Sequence, residues 1–365
     1  MGADALNEEP FRSALHSPAS RTEIILATRA WAAGALVVSL RPELKVKSVM
    51  QHEPILIRLP NWVGDVCMSL PVLDMLRRLN IPFAVCARGW AKDLLAGLGT
   101  EGFVPMSGRL IEDVVEVRDW RKRHPTFRRG LILPDSLSSA LCFRLAGLKS
   151  AGWRDDGRSL LLRWPLTKPI EPLHAVQSHF AMAKQALAAW GIDAQPQMLP
   201  ERLHLPLTKT QTQSAHDHLS AAGLKAGEFV LIAPTATGTH KGQAKVWPQF
   251  DAYTRILQNN GLRVAMCPPK SEQAAALRAV PTADLIDPLR LGGFCALTRL
   301  AKVVVCNDSG VSHLCATVGA KQITLFGVTD PTRTGPWNPE SINLGQHGRW
   351  PTVGEVVART QPFFV

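Results

Sequence analysis

The sequence predicts an α/β protein made of two doubly wound parallel sheets. Three observations carry this. Short apolar runs of strand character alternate with segments of helical spacing, and Ile55–Leu59 followed by Val66–Leu79 is the first such pair. That alternation implies parallel strands joined by right-handed crossovers. The pattern lapses over Ala194–Gly227, a stretch mixing Pro, Gln, Thr and Lys, and restarts at Phe229–Pro234. A chain of 365 residues is also too long for one comfortable core and long enough for two. The expected divisions are an N-terminal extension over 1–50, a first sheet domain over 51–195, a connection over 196–227, a second sheet domain over 228–350 and a tail over 351–365.

The extension reads as detached, with room for one amphipathic helix. Its apolar stretch Ile25–Leu40 is interrupted by Arg29 and is short of the roughly 20 residues of a bilayer span. Glu8, Glu9 and Glu23 do not suit the charged region of an export signal. In the first half, Ile55–Leu59 is a strand that runs into the loop PNWVGD. The helix after it, from about Val66 to Leu79, rests on Val66, Leu70, Leu73, Leu76 and Leu79. Strands are expected at Phe83–Ala87, Val114–Val117 and Gly130–Leu133, and helices at Trp90–Leu98, Ala140–Leu145 and His174–Gly191. In the second half a helix near Gln211–Ala222 sits inside the connection. Strands follow at Phe229–Pro234, Leu262–Cys267, Val303–Cys306 and Gln322–Phe326. Helices are expected at Trp247–Asn260, with Pro248 in its first turn, and at Ser271–Val280, Gly293–Ala301, Val311–Val318 and Val353–Thr360. The segment TDPTRTGPWNP reads as loop.

Composition limits the partners. A formal charge of +11 calls for an acidic one: nucleic acid, an anionic membrane surface or a phosphorylated substrate. The chain holds 10 Trp but no regular basic–aromatic interleaving, which argues against a nucleic-acid platform. Arg118, Arg121, Lys122, Arg123, Arg128 and Arg129 crowd one segment. It is either a solvated face or an anchor for an anionic acceptor or lipid headgroup. The seven cysteines are scattered through mostly apolar runs with no C-x-x-C pair, and read as buried residues of a reducing compartment.

Two loops carry chemistry. The turn Asn307-Asp308-Ser309-Gly310 joins a β-branched strand to a helix, whose N–H groups and positive dipole end suit an anion. Asp308 is there either an N-cap or a ligand contact, and His313, about one turn on, either a core histidine or a second contact. The loop PTATGTHKGQAKVW offers hydroxyls, amides, Lys241 and Lys245, the groups that offset a departing diphosphate, without the P-loop spacing. In the first half, Gly64 permits a tight backbone approach, and Asp65 is either an N-cap or a general base in an interdomain cleft. There is no D-x-D, H-E-x-x-H or G-x-S-x-G, and in the helical His216-Asp217-His218 adjacent side chains splay apart, so no metal site is expected.

Five stretches, in order, resemble the bacterial lipopolysaccharide heptosyltransferases of glycosyltransferase family nine. They are LPNWVGDVCMSLPVL, LPDSLSSALCFRLAGLKSAGWRDDGRSLLL, APTATGTHKGQAKVWP, NDSGVSHLCATVGA and ITLFGVTDPTRTGPW, within Ile55–Pro339. The first loop and GWRDDGR resemble the heptosyltransferase II branch. The resemblance implies a GT-B fold, two Rossmann-like domains facing across a cleft. It implies inverting, metal-independent transfer from ADP-heptose to a lipid-linked lipopolysaccharide core, without a cofactor or nucleic acid. The setting would be the cytoplasmic face of the inner membrane, with peripheral attachment to its anionic surface. Asp65 would be the base. Thr235, Thr237, Lys245, Glu272, Asp308, Ser309, Gly310 and His313 would hold the donor, and Arg121, Lys122, Arg123 and Ser136 the acceptor. The loop before Lys245 looks longer than in the family, so Lys241 competes for the phosphate role. A related transferase with another nucleotide-sugar or acceptor, or a non-catalytic nucleotide-sugar-binding protein, stays open as an alternative.

Overall fold

The computed structural model describes residues 52–240 and 242–364. The extension expected over 1–50, with its helix, and Lys241 lie outside the described residues. The first sheet is built from β1 (Ile55–Arg58), α1 (Val63–Met68), α2 (Leu70–Arg78), β2 (Phe83–Arg88), α3 (Ala91–Leu94) and β3 (Phe103–Met106). It continues with α4 (Leu110–Arg123), β4 (Arg129–Ile132), α5 (Leu137–Leu145), β5 (Lys149–Trp153) and β6 (Trp164–Leu166). All six strands are parallel, in the order β3-β2-β1-β4-β5-β6. Helices α6 (Ala175–Ala189) and α7 (Lys209–Ala221) lead into β7 (Phe229–Ala233) and a small antiparallel hairpin, β8 (Thr239–His240) with β9 (Gln243–Ala244). Next come α8 (Phe250–Asn259), β10 (Arg263–Met266), α9 (Gln273–Ala279), β11 (Asp284–Leu285), α10 (Leu291–Leu300) and β12 (Val303–Asn307). Then follow α11 (Gly310–Val318), β13 (Gln322–Phe326), α12 (Pro331–Thr334), β14 (Ile342–Gly345) and α13 (Val353–Thr360). The second sheet is again six-stranded and parallel, β11-β10-β7-β12-β13-β14.

Strand order reverses direction beside the first strand of each sheet, between β1 and β4 and between β7 and β12. These are the points where doubly wound sheets open a crevice at their carboxyl ends. Period-two alternation packs both faces of every central strand. Ile55 and Ile57 join one apolar cluster while Leu56 joins another. In the second sheet Phe229 and Leu231 separate in the same way from Val230 and Ile232. The first of these clusters runs through both sheets, through α1, α2 and α6 on one side and α10 and α11 on the other.

Four expectations are corrected, the first being that TDPTRTGPWNP, read as loop, holds the short helix α12 over Pro331–Thr334 behind its N-cap Asp330. Val114–Val117 is not a strand: it lies within α4, where Val114, Val117 and Trp120 are buried and Val115 is exposed, a helical spacing. The strand that belongs there is β3, whose Pro105 masks it in the sequence and is tolerated because β3 is an edge. The helix expected from Val66 begins at Val63 and is interrupted at Ser69. The helix expected from Trp247 begins only at Phe250, since Pro248 disfavours helical backbone at Trp247, whose N–H goes to Asn307.

Polar contacts fix the two sheets to each other. The Asp93 carboxylate, after β2, accepts the N–H of Gly292 at 2.8 Å and so caps α10, which has no cap of its own. Gln211 donates to the Asp93 carbonyl at 2.6 Å. His174, the N-cap of α6, bonds the Gly335 carbonyl at 3.0 Å.

Candidate active site

The turn after β12 is anchored before it can bind anything. Asn307 is fully buried. Its Oδ1 accepts the Trp247 N–H at 2.8 Å and its Nδ2 donates to the Ala233 carbonyl at 3.1 Å, tying together the ends of β12 and β7 and the loop between. Asp308, also buried, pairs with Lys245 Nζ at 2.6 Å and accepts the Thr329 hydroxyl at 2.6 Å. Asp308 is not the N-cap. Ser309 is, accepting the Val311 N–H at 3.3 Å, so the carboxylate is left for Lys245 and Thr329. Gly319 closes α11 in the left-handed conformation, as its sequence position suggests.

Asp65 is not an N-cap either. Trp62 occupies that position, and Asp65 is the third residue of α1, in its first turn. Burial raises the Asp65 carboxyl above the ordinary aspartate value, and Lys245 across the cleft opposes the rise. The Asp65 carboxylate makes no ion pair among the described residues. The sequence read Gly64 as a site of close approach, and the approaching group is His313. A Cβ on Gly64 would lie 2.6 Å from His313 Cδ2, and one on Gly310 3.1 Å from Val63 Cβ. The N-terminal turns of α1 and α11 therefore touch, and both switch points open onto one cleft of about 1330 Å³.

That cleft brings together Asp65, Thr235, Thr237, Lys245, Glu272, Asp308, Ser309, Gly310 and His313. Thr235 donates to Glu272 at 2.5 Å. Ser136 lies off this cleft in an adjoining pocket that shares Asp65, and its hydroxyl caps α5. Arg121, Lys122 and Arg123 are not brought to the cleft. They end α4, which runs back from the carboxyl edge of the sheet to its amino edge. Arg121 donates there to the Gly147 carbonyl, and Lys122 pairs with Asp119 at 3.1 Å. Thr329 and Asp135 were not singled out from the sequence, and Asn307 was named only as part of its turn, with no anchoring role. Asp135 had a usable signal: it follows β4, the strand beside β1 at the switch point. No group of three or more His, Cys, Asp or Glu side chains with metal-site spacing occurs among the described residues.

Histidines whose surroundings disfavour the charged form make the fold acid-sensitive: buried His313 and His174 and half-buried His179. Burial lowers His313 to about 4, against the partial support of Asp308, and lowers His179 to about 4. The Nδ1 atoms of both lack a hydrogen-bond partner. Between pH 4 and 6.5 the unfolded chain then binds more protons than the folded one, so stability falls as pH drops through that window. We expect thermal melting to drop by several degrees from pH 7 to pH 5, and the drop to shrink in His179→Gln.

Two parallel Rossmann-like sheets meeting over a shared cleft define the GT-B class. A structure of Escherichia coli ADP-heptose lipopolysaccharide heptosyltransferase II superposes with a TM-score of 0.68 at 21% identity, covering 85% of this chain and 98% of that one. E. coli heptosyltransferase WaaC with ADP superposes at 0.66 and 18% identity, covering 85% and 99%. In sequence, lipooligosaccharide heptosyltransferase 2 of Haemophilus influenzae is 26% identical over 299 residues, 77% of this chain and 85% of the relative. The chain belongs to glycosyltransferase family 9, the heptosyltransferases, whose family model matches residues 121–357. It is a glycosyltransferase.

Proposed function

We propose that the protein transfers a heptose from ADP-heptose to the inner core of lipopolysaccharide, with inversion at the anomeric carbon and Asp65 as general base. The observation that carries this is the meeting of α1 and α11. It sets a carboxylate raised by burial in one cleft with a cation and a helix N-terminus suited to a diphosphate. The names of the relatives supply the heptose, the nucleotide and the lipopolysaccharide. On this reading the first sheet domain takes the acceptor and the second the donor.

Asp65 removes the proton of an acceptor hydroxyl. The freed oxygen bonds to the anomeric carbon as the bond from that carbon to the ADP oxygen breaks on the opposite face. The first-turn amides of α11 and the Lys245 ammonium stabilise the negative charge that gathers on the diphosphate. Glu272 and Thr235 hold the nucleoside end, and Thr237 the phosphates. His313, neutral at pH 7, adds packing rather than charge. The site supplies fixed positive groups of its own, and no metal step enters the reading. No described helix is long and apolar enough to cross a membrane. With a charge of +11, we place the enzyme at the cytoplasmic face of the inner membrane, held peripherally by anionic lipid.

Mass spectrometry of lipopolysaccharide from a strain lacking the protein tests the function. Loss of one heptose and everything beyond it is expected, and an unaltered core contradicts the reading. For the donor side, Lys245→Ala should weaken ADP binding by at least about tenfold in calorimetry, the worth of a charge-assisted hydrogen bond. If Lys241→Ala weakens ADP binding instead, the phosphate contact belongs to Lys241.

A further inference from the structure

Beside the main cleft lies a second pocket of about 510 Å³, lined by Asn61, Trp62, Asp65, Asp135, Ser136 and His179 among others. Trp62 and Asp65 wall both spaces. We infer that this side pocket is a subsite for an uncharged pyranose ring of the acceptor, stacked on Trp62, and that it rejects a ring carrying phosphate or another anionic group. The inference rests on the transferase reading above and names which part of the acceptor Asp65 meets.

The first ground is Trp62 itself. It is 71% exposed and is the one exposed tryptophan among the described residues. Trp153 and Trp247 are fully buried, and Trp120 and Trp190 nearly so. The fold has not used this indole: Trp62 supplies no side-chain cap to α1, and its backbone is extended. An indole at the mouth of a pocket with mixed polar and apolar walls offers a flat apolar face. A pyranose has a matching face of axial C–H groups, and its hydroxyls then point at the pocket walls.

The second ground is the polar lining. Asn61, Asp135, Ser136, Ser178 and His179 present carboxylate, amide, hydroxyl and imidazole groups, which exchange hydrogen bonds with sugar hydroxyls. Asn61 is held in place, accepting from the buried Arg58 at 2.6 Å.

The third ground is charge. The cations nearest this pocket are already committed. Arg158, fully buried, donates to the Pro134 carbonyl at 2.8 Å and pairs with Asp135 at 3.4 Å. Lys168 bridges Asp135 at 2.7 Å and Asp155 at 2.6 Å. With the buried Arg58, which donates to Asn61 and to the Leu59 and Cys86 carbonyls, three cations stand near three carboxylates, Asp65 included, and all three cations already have partners. His179 brings no charge at neutral pH. A phosphate entering here meets carboxylates and no available cation, whereas a neutral ring meets hydrogen-bonding groups and the apolar surface of Pro60, Leu133, Pro134 and Trp153.

The test uses the full chain and two probes, a methyl heptopyranoside and a phosphomonoester of the same glycoside, with affinities read by ligand-observed NMR. Wild type should bind the neutral glycoside at least about tenfold more tightly than the phosphomonoester. Trp62→Ala should weaken the neutral glycoside by about tenfold, roughly the worth of one stacking face. Trp62→Phe should hold it within about threefold. ADP affinity and thermal midpoint should stay at wild-type values in both variants, which shows that the fold and donor side are intact. Unchanged glycoside binding in Trp62→Ala overturns the stacking, and equal or tighter binding of the phosphomonoester overturns the charge selection. Glycoside binding is read without turnover, so absent heptose transfer by wild type would defeat the transferase reading and leave this result standing or falling by itself.

Discussion

Asp65→Asn is expected to lower turnover by at least about a hundredfold while leaving ADP affinity within about twofold. The substitution keeps the size of the side chain and its place in the first turn of α1. It removes the capacity to accept a proton. Little in the fold depends on the charge beyond its place in the first turn of α1, because Asp65 forms no ion pair among the described residues and caps no helix. Loss of rate is therefore separable from loss of structure. Burial raises the Asp65 carboxyl above its ordinary value of 3.8, which makes it a better proton acceptor than an exposed aspartate. As the proposed base, Asp65 works in its ionised form, so kcat/KM should fall on acidification, with a limb lying above that ordinary value. Asp65→Asn should lose this limb. Turnover near wild type in Asp65→Asn, measured by release of ADP in the presence of acceptor, would remove the base from the mechanism.

Gly64→Val is the second large effect expected. The Cβ alone would stand 2.6 Å from His313 Cδ2, inside any real contact distance. The imidazole has little room to move, because His313 is 5% exposed and one side of it lies against α1. Either the ring is displaced from the Asp308–His313 turn or α1 and α11 part. Each outcome moves Asp65 relative to Asp308 and Lys245, and a shift of about 1 Å can reduce rate on the order of a hundredfold. Gly310→Ala should be milder, since its Cβ meets Val63 at 3.1 Å. Coupled kinetics and melting curves of Gly64→Ala, His313→Ala and the double variant measure the contact. The two effects should be strongly non-additive, because relieving the clash from one side removes much of the damage from the other.

The site was more legible in the sequence than the sheet edges. Strands that occupy the sheet centres, such as Ile55–Arg58 and Val303–Asn307, are buried on both faces and appear as unbroken apolar runs. Edge strands β3 and β6 carry Pro105 and Pro165, and their signal is lost among turn residues. Val114-Val115 looked like a strand because two β-branched residues outweighed a spacing that only becomes clear once Trp120 is known to be buried. Gly64, Asp65, Lys245 and the Asp308–His313 turn stood out because small residues and isolated charges beside apolar runs need a reason. What the chain order could not show was who meets whom. Gly64 and His313 are far apart in sequence, as are Asp308 and Thr329, and only the pairing of two switch points over one cleft brings them together. The basic run was read as a candidate anchor because charge alone carries no direction. The polarity of α4 turns Arg121, Lys122 and Arg123 away from the carboxyl edge.

On the proposed mechanism the heptose moves in a single displacement across the cleft, with Asp65 on one side and a departing diphosphate on the other. The anomeric configuration of the product tests it most directly. Purified protein, ADP-heptose and a heptose-deficient core acceptor should yield one added heptose, with NMR showing the configuration opposite to that of the donor. A product that keeps the donor's configuration would contradict the account.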